Sequence, residues 1–345
     1  MAYTTINKPS DYFNTVLYTG NNSTQSITGV NFQPDLVYVK GRNTATRYPT
    51  MFDSVRGATK RLTTNSTNAE DTHPTMLTSF DSDGWTTGAD DQTNGSSETY
   101  VSWNWLASNT TASNTDGSIT STVSANTTSG FSIVTYTGNG TGGATVGHGL
   151  SVAPSMIIEK GRSVTDDWLI YHKSIGATKG LALNNTTAEA ASTGYWNDTA
   201  PTSSLFTIGD NGKVNTNGGT HIAYCFADVK GFSKFGSYTG NGSADGTFIY
   251  TGFKPAFLIL KRTDSVADWF LHDNKRNGFN PDNDYLQPNT DSTETNFDNL
   301  VDFVSNGWKI RDATTAYNAS GGNYIYMAFA ENPLVTSTKL PATAR

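Results

Sequence analysis

The feature that most constrains this 345-residue chain is a triplication at the scale of a whole domain. Tyr-Thr-Gly begins at Tyr18, Tyr136 and Tyr238, and each copy is followed by a proline, Pro34, Pro154 or Pro255. A lysine stands six residues beyond each proline, at Lys40, Lys160 and Lys261. Each copy closes on an alternating aromatic run that ends in alanine: Trp103 to Ala107, Tyr224 to Ala227 and Tyr326 to Ala330. A solenoid turn is roughly 20 to 50 residues, so a repeat this long is a domain. The chain therefore reads as three similar modules, with distributed recognition or assembly expected rather than one catalytic pocket.

Within each module the apolar period is two. Leu36 to Lys40, Met156 to Lys160 and Phe257 to Lys261 are short apolar runs behind a proline, the pattern of a buried strand. Proline marks the strand entry, where its missing N–H costs little. Phe52, Tyr171 and Leu271 fall in a second equivalent strand. Trp85-Thr86-Thr87, Phe206-Thr207-Ile208 and Trp308-Lys309-Ile310 fall in a third. No window holds a 3.6-residue stripe long enough for a helix. Gly-Asn-Gly at 138–140 and 240–242 and Asp83-Gly84 are hairpin signals. The predicted fold is all-β: three tandem β-sandwich (jelly-roll-like) modules with extended N- and C-terminal arms.

The predicted boundaries are an arm over 1–11, module one over 12–108, a polar linker over 109–129, module two over 130–229, module three over 230–333 and a tail over 334–345. The linker has almost no apolar content beyond Ile119 and Val123, so it is expected to be flexible or to lie flat as an extended strand. The short second junction predicts close packing of modules two and three, with module one hinged.

Composition narrows the function classes. Net charge is −7 and the cations are scattered, which argues against nucleic-acid binding, since that requires phosphate neutralisation. No stretch approaches the ~20 apolar residues of a membrane span, and Met1 to Ser10 lacks the apolar core of a signal peptide. Neither membrane insertion nor signal-directed secretion is expected. The single cysteine, Cys225, reads as a small buried hydrophobe.

Internal copies test candidate chemistry. Asp53, His172 and Asp273 occupy equivalent places, and the swap argues against catalysis there. Asn65/Glu70, Asn184/Glu189 and Asn289/Glu294 keep one spacing and read as turns. Arg42, Arg162 and Arg262 follow the strand-exit lysines, where a carboxylate partner or an inter-module contact is expected. Asp81 to Gly84 and Asp282 to Asp284 resemble fragments of calcium loops without the full ligand set. The histidines show no paired metal spacing. No catalytic residue, metal site or cofactor is therefore expected. Trp168 and Trp269, each preceded by aspartate, are the candidate ligand contacts: exposed, they would stack on sugar rings; buried, they would anchor the core.

Three blocks carry a resemblance: Phe131 to Gly140, Gly147 through Ile158, and Trp196 to Ser204. With Tyr250 to Phe257 and Tyr324 to Pro333, they resemble a repeat module of virion structural proteins in tailed phages, notably aquatic ones. Module one departs most, with no His-Gly-Leu block. The resemblance implies a non-enzymatic, surface-displayed virion protein of the tail fibre or host-recognition type, assembled in the host cytoplasm. Its implied partners are other virion proteins and itself, as a homo-oligomer such as a trimer, with a host-surface glycan as candidate ligand. The alternatives are a capsid decoration or cement protein that clamps capsomers with its arms, and a polysaccharide-degrading tailspike.

Overall fold

The computed structural model describes residues 3–341, and the ends of both predicted arms, 1–2 and 342–345, lie outside them. Module one contains β1 (Phe13–Thr19), β2 (Gln25–Thr28), β3 (Leu36–Gly41), β4 (Thr50–Asp53), β5 (Lys60–Thr63), β6 (Asp71–Thr72), β7 (Leu77–Asp81), β8 (Gly84–Thr87), helix α1 (Asp91–Asn94) and β9 (Thr99–Trp105). The linker supplies β10 (Ala112–Asn114) and β11 (Ser121–Asn126). Module two continues with β12 (Phe131–Thr137), β13 (Ala144–Gly147), β14 (Met156–Gly161), β15 (Leu169–His172), β16 (Lys179–Ala182), β17 (Ala190–Ala191), α2 (Thr193–Trp196), β18 (Leu205–Ile208), α3 (Gly212–Asn215) and β19 (Thr220–Phe226). Module three contains β20 (Ser233–Thr239), β21 (Phe248–Tyr250), β22 (Phe253–Arg262), β23 (Trp269–Asp273), β24 (Asp282–Tyr285), β25 (Thr295–Val304), β26 (Gly307–Ile310), α4 (Thr315–Asn318) and β27 (Asn323–Pro333).

The fold is all-β, and each module pairs a large antiparallel sheet with a small one. The large sheets share one strand order: β1-β9-β3-β4, β12-β19-β14-β15 and β20-β27-β22-β23. The small sheets are β2-β8-β7, β13-β18 and β21-β26-β25-β24. Val37 and Val39 on one face of β3 pack with Ile27 and Trp85 of the small sheet, while Leu36 and Tyr38 on the other face enter a different cluster. Both faces of the strand are thus buried, which explains why the run behind Pro34 is continuously apolar rather than alternating.

That second cluster draws residues from all three modules. Trp105, Phe226 and Phe329, one from each closing strand, meet as a triangle with ring centroids 5.8–6.3 Å apart. These separations suit edge-to-face aromatic packing. The modules therefore close into a ring around a common core. Module one is not hinged: its large sheet turns Trp103 and Trp105 into that core. Of the two readings of the linker, the extended strand is the one adopted: β11 pairs with β12 from Thr122↔Thr135 to Asn126↔Phe131, and Ile119 and Val123 join the core of module two. Cys225 is buried in that same core.

The described parts of the arms are not free extensions. Ile6 is buried in the shared core, and the Tyr3 hydroxyl donates to the Gly252 carbonyl at 2.6 Å. Asn7 exchanges two hydrogen bonds with Ser337 of the tail. Both arms lie together against module three.

Candidate functional site

The Tyr-Thr-Gly repeat is a latch inside each module. The hydroxyls of Tyr18, Tyr136 and Tyr238 donate to the carbonyls of Thr93, Val214 and Tyr317 at 2.7–2.8 Å. The next residue in each case is a buried asparagine, Asn94, Asn215 or Asn318. Its side chain accepts the N–H of Asn21, Asn139 or Asn241 at 2.8 Å. The glycine between is obligatory, since a Cβ at Gly20, Gly138 or Gly240 would sit 2.2–2.4 Å from a carbonyl oxygen. Sequence reasoning missed these three asparagines, although they stand 12 or 13 residues before the closing alanines Ala107, Ala227 and Ala330.

The remaining recurrent polar residues face other modules. The segments carrying Glu70, Glu189 and Glu294 each dock on the strand exit of the next module round the ring. The Glu70 N–H donates to the Arg162 carbonyl, that of Glu189 to Thr263 and that of Glu294 to Arg42, at 2.7–2.8 Å. Opposite each segment, a buried lysine donates to a docked carbonyl: Lys160 to Thr67, Lys261 to Thr186 and Lys40 to Thr290. Burial pushes the Lys40 ammonium down to about 7 and those of Lys160 and Lys261 to about 8. A desolvated ammonium is costly, and the inter-module carbonyls offset part of that cost.

Trp168 and Trp269 belong to these seams. Both are buried, at 0% and 1% exposure. Their indole N–H groups donate across to Thr63 and Ala182 carbonyls at 2.9 Å. Neither offers a ring face to a sugar, which corrects the ligand-contact reading: they are inter-module anchors. Asn184 and Asn289 accept the backbone N–H of Trp168 and Trp269. In module one that position is Pro49, which has no N–H, and the buried Asn65 Oδ1 finds no hydrogen-bond partner among the described residues.

The three seams are not equal. At the first, between modules one and two, Arg162 makes a two-pronged contact with Glu70 at 2.9 and 3.0 Å, and the buried Arg56 adds a third bond. Burial alone would push the Glu70 carboxyl up, but the two arginines outweigh it and hold it below the usual range. The third seam, between modules three and one, repeats this with Arg42 and Arg276 on Glu294. Arg56 and Arg276 also pair with the buried Asp53 and Asp273, which accept hydrogen bonds across the seams from the Tyr224 hydroxyl and the Trp103 indole.

The second seam, between modules two and three, lacks this apparatus. Ile175 stands where Arg56 and Arg276 stand, three residues past His172, Asp53 and Asp273. Thr263 stands where Arg42 and Arg162 stand. The strand register shows why Arg262 is not their equivalent: it pairs with Tyr324, as Gly41 pairs with Tyr100 and Gly161 with His221. One residue of offset sends a strand side chain to the opposite face. Arg262 accordingly binds Asp264 and the Thr315 carbonyl, while the Glu189 carboxylate, among the described residues, keeps the ion pair with Lys179 in place of arginine partners. A hollow of about 420 Å³ remains, lined by Ile175, Lys179, Glu189, Thr263 and Asn323. A smaller hollow of about 240 Å³, lined by Asn14, Lys275 and Glu331 among others, does not include Glu294. His172 closes this seam differently, its Nε2–H donating to the Tyr326 carbonyl at 3.2 Å while Nδ1 accepts from Ser174. That pattern requires a neutral imidazole, and burial pushes its pKa down to about 4.

Two clusters of ionisable groups converge, each inside a single module. In module three, His272 Nε2 lies 2.9 Å from the Tyr317 hydroxyl and Nδ1 lies 3.8 Å from the buried Asp282, whose carboxyl is pushed up by burial. The other cluster is in module two. His221 Nδ1 and the Tyr136 hydroxyl reach Glu159 Oε1 at 2.7 and 3.3 Å. Burial pushes the Glu159 carboxyl up, against the pull of His221. Glu159 and His221 are both 0% exposed, and lie in the core rather than in a cleft. Asp83 accepts the N–H groups of Gly29 and Asn31 and so ties two loops together.

Comparison with curated proteins found no match. The family described as Domain of unknown function (DUF7483) matches residues 8–333, all three modules together. The chain therefore belongs to the DUF7483 family.

Proposed function

We propose that this protein is a non-enzymatic structural component of a tailed-phage particle, displayed as part of a tail fibre or tail-associated adhesin that contacts the host surface. The observation that carries this reading is where the recurrent polar residues go. The lysines, the docked glutamate backbones and the seam tryptophans bind module to module, and the latch asparagines bind a short helix to the loop after the first strand. Such a body is built to hold surface in a fixed array. Repeated weak contacts on a rigid array gain avidity through effective concentration. The rival cement-protein reading relied on free arms that clamp neighbours, and the described arm residues instead bind module three and each other. The placement of both arms on one side favours a single attachment point with the rest of the ring outward.

The test is localisation of the protein in an electron-microscopy map of the particle, combined with competition by purified protein for phage adsorption. Density at the tail and blocked adsorption support the adhesin. Density on the capsid shell with unchanged adsorption contradicts it. Release of reducing sugar from host polysaccharide would contradict the non-enzymatic reading.

A further inference from the structure

The open second seam carries an inference that does not depend on the virion reading. At the first and third seams a docked glutamate is held by two arginines, one from the next module and one from its own. At the second seam the glutamate is retained and its backbone docks in the same way, but both arginine positions hold smaller residues, Thr263 and Ile175. Both of these line the hollow beside Glu189. The hollow is thus bounded by the two positions that carry arginines in the sister seams and by the glutamate those arginines would hold. Arg262 does not refill it, because it leaves the other face of its strand and is engaged by Asp264.

We propose that this hollow is an acceptor site for a guanidinium group, presented as an arginine side chain by a partner polypeptide. A planar guanidinium matches a carboxylate with two parallel N–H···O bonds, and the ring itself builds that arrangement twice. Exposed Ser237, Thr239 and Asn323 on the walls supply oxygen acceptors for the remaining N–H groups. Lys179 must leave Glu189 for this to happen, and module one shows the alternative. Lys60, at the same position, binds Thr72 while arginines hold Glu70. The chain's net charge of −7 favours approach of a cation. A neutral sugar would also find hydroxyl partners, but would not call for an ionised carboxylate at the centre of the site.

The experiment is an NMR titration of the full chain with Nα-acetyl-arginine amide, its citrulline counterpart and glucose, following the amides of Glu189, Thr263 and Asn323. The arginine probe is expected to shift these amides with an affinity about tenfold or more above that of citrulline, the uncharged isostere. Glu189→Gln should weaken it by a similar factor. Thr263→Arg with Ile175→Arg should abolish binding, because the variant's own guanidinium groups would then compete for Glu189. Equal binding of arginine and citrulline, tighter binding of glucose at the same amides, or no shift with arginine would each overturn the proposal. If the double-arginine variant does not fold, the Glu189→Gln comparison decides alone.

Discussion

The first and second seams share one backbone docking and differ in the side chains packed around it. At the first, Glu70 lies between Arg162 and the buried Arg56, and Arg56 in turn holds Asp53, which accepts the Tyr224 hydroxyl. At the second, Glu189 has Lys179 in place of arginine partners, and the Asp53 position is His172, facing a backbone carbonyl. The changes come as a set. Met327 occupies the place of Tyr224 and Trp103 in the shared core, two residues before the axis aromatic, and has no donor to offer. A buried aspartate facing methionine would be an uncompensated charge, whereas a neutral histidine can turn to the chain instead. One seam is therefore locked by ion pairs and the other by a neutral hydrogen bond beside an open hollow.

The largest expected effect is at the locked seam. Arg56→Ala would leave Asp53 buried without its cation and cost about 3–5 kcal/mol in urea unfolding. Ile175→Ala, at the same position of the second seam, should cost only about 1 kcal/mol, since it removes part of a half-buried aliphatic. Equal costs would erase the distinction between the seams.

Acid should separate them next. The folded His172 pKa lies below its unfolded value, so its contribution is complete above about 6.5 and is lost as pH falls toward about 4. The loss amounts to about 3 kcal/mol at most. Glu70, whose folded pKa is depressed, contributes above the ordinary glutamate value near 4.3 and fails only as pH drops through its lower folded value. The second seam should therefore loosen first on acidification, seen as hydrogen exchange at residues 183–189 before residues 64–70. His172→Gln should remove the dependence between pH 6.5 and 4, and exchange that begins instead at residues 64–70 would contradict the assignment.

The latches should show no such asymmetry. Asn94→Ala, Asn215→Ala and Asn318→Ala should each cost about 1–3 kcal/mol through unpaired buried backbone groups. A cost confined to one module would mean that the latch is not a shared device. The smallest contrast is between surface-facing arginines. Arg162→Lys should cost about 1 kcal/mol by losing its fork, while Arg262→Lys should cost under about 0.5 kcal/mol.

Much of this was legible in the chain itself. The apolar runs behind Pro34, Pro154 and Pro255 are central strands because both their faces are buried, and a continuous run is the signature of that burial. What stayed hidden depends on register and on distant partners. Arg262 stands one residue from Lys261 whereas Arg42 and Arg162 stand two residues from theirs, and only strand pairing turns that offset into opposite faces. Tyr18 gives no hint that its hydroxyl meets Thr93, 75 residues away. Trp168 beside two aspartates has the composition of a sugar platform, but the same residues serve equally when the indole is capped by a neighbouring module's carbonyl. The polar linker read as either flexible or a flat extended strand, and the choice stayed open because its docking rests on backbone pairing, on side-chain hydrogen bonds such as Ser121 to the Gly147 carbonyl, and on Ile119 and Val123.

The central claim is that three modules form one cooperative body around the Trp105–Phe226–Phe329 triangle. Differential scanning calorimetry of the full chain tests it most directly, by comparing the calorimetric enthalpy with the van't Hoff enthalpy. A single transition with the two enthalpies equal, shifted as a whole to lower temperature by Phe226→Ala at a cost of about 3–5 kcal/mol, is the expected result. Separate transitions, or a Phe226→Ala shift confined to a fraction of the unfolding heat, would contradict it.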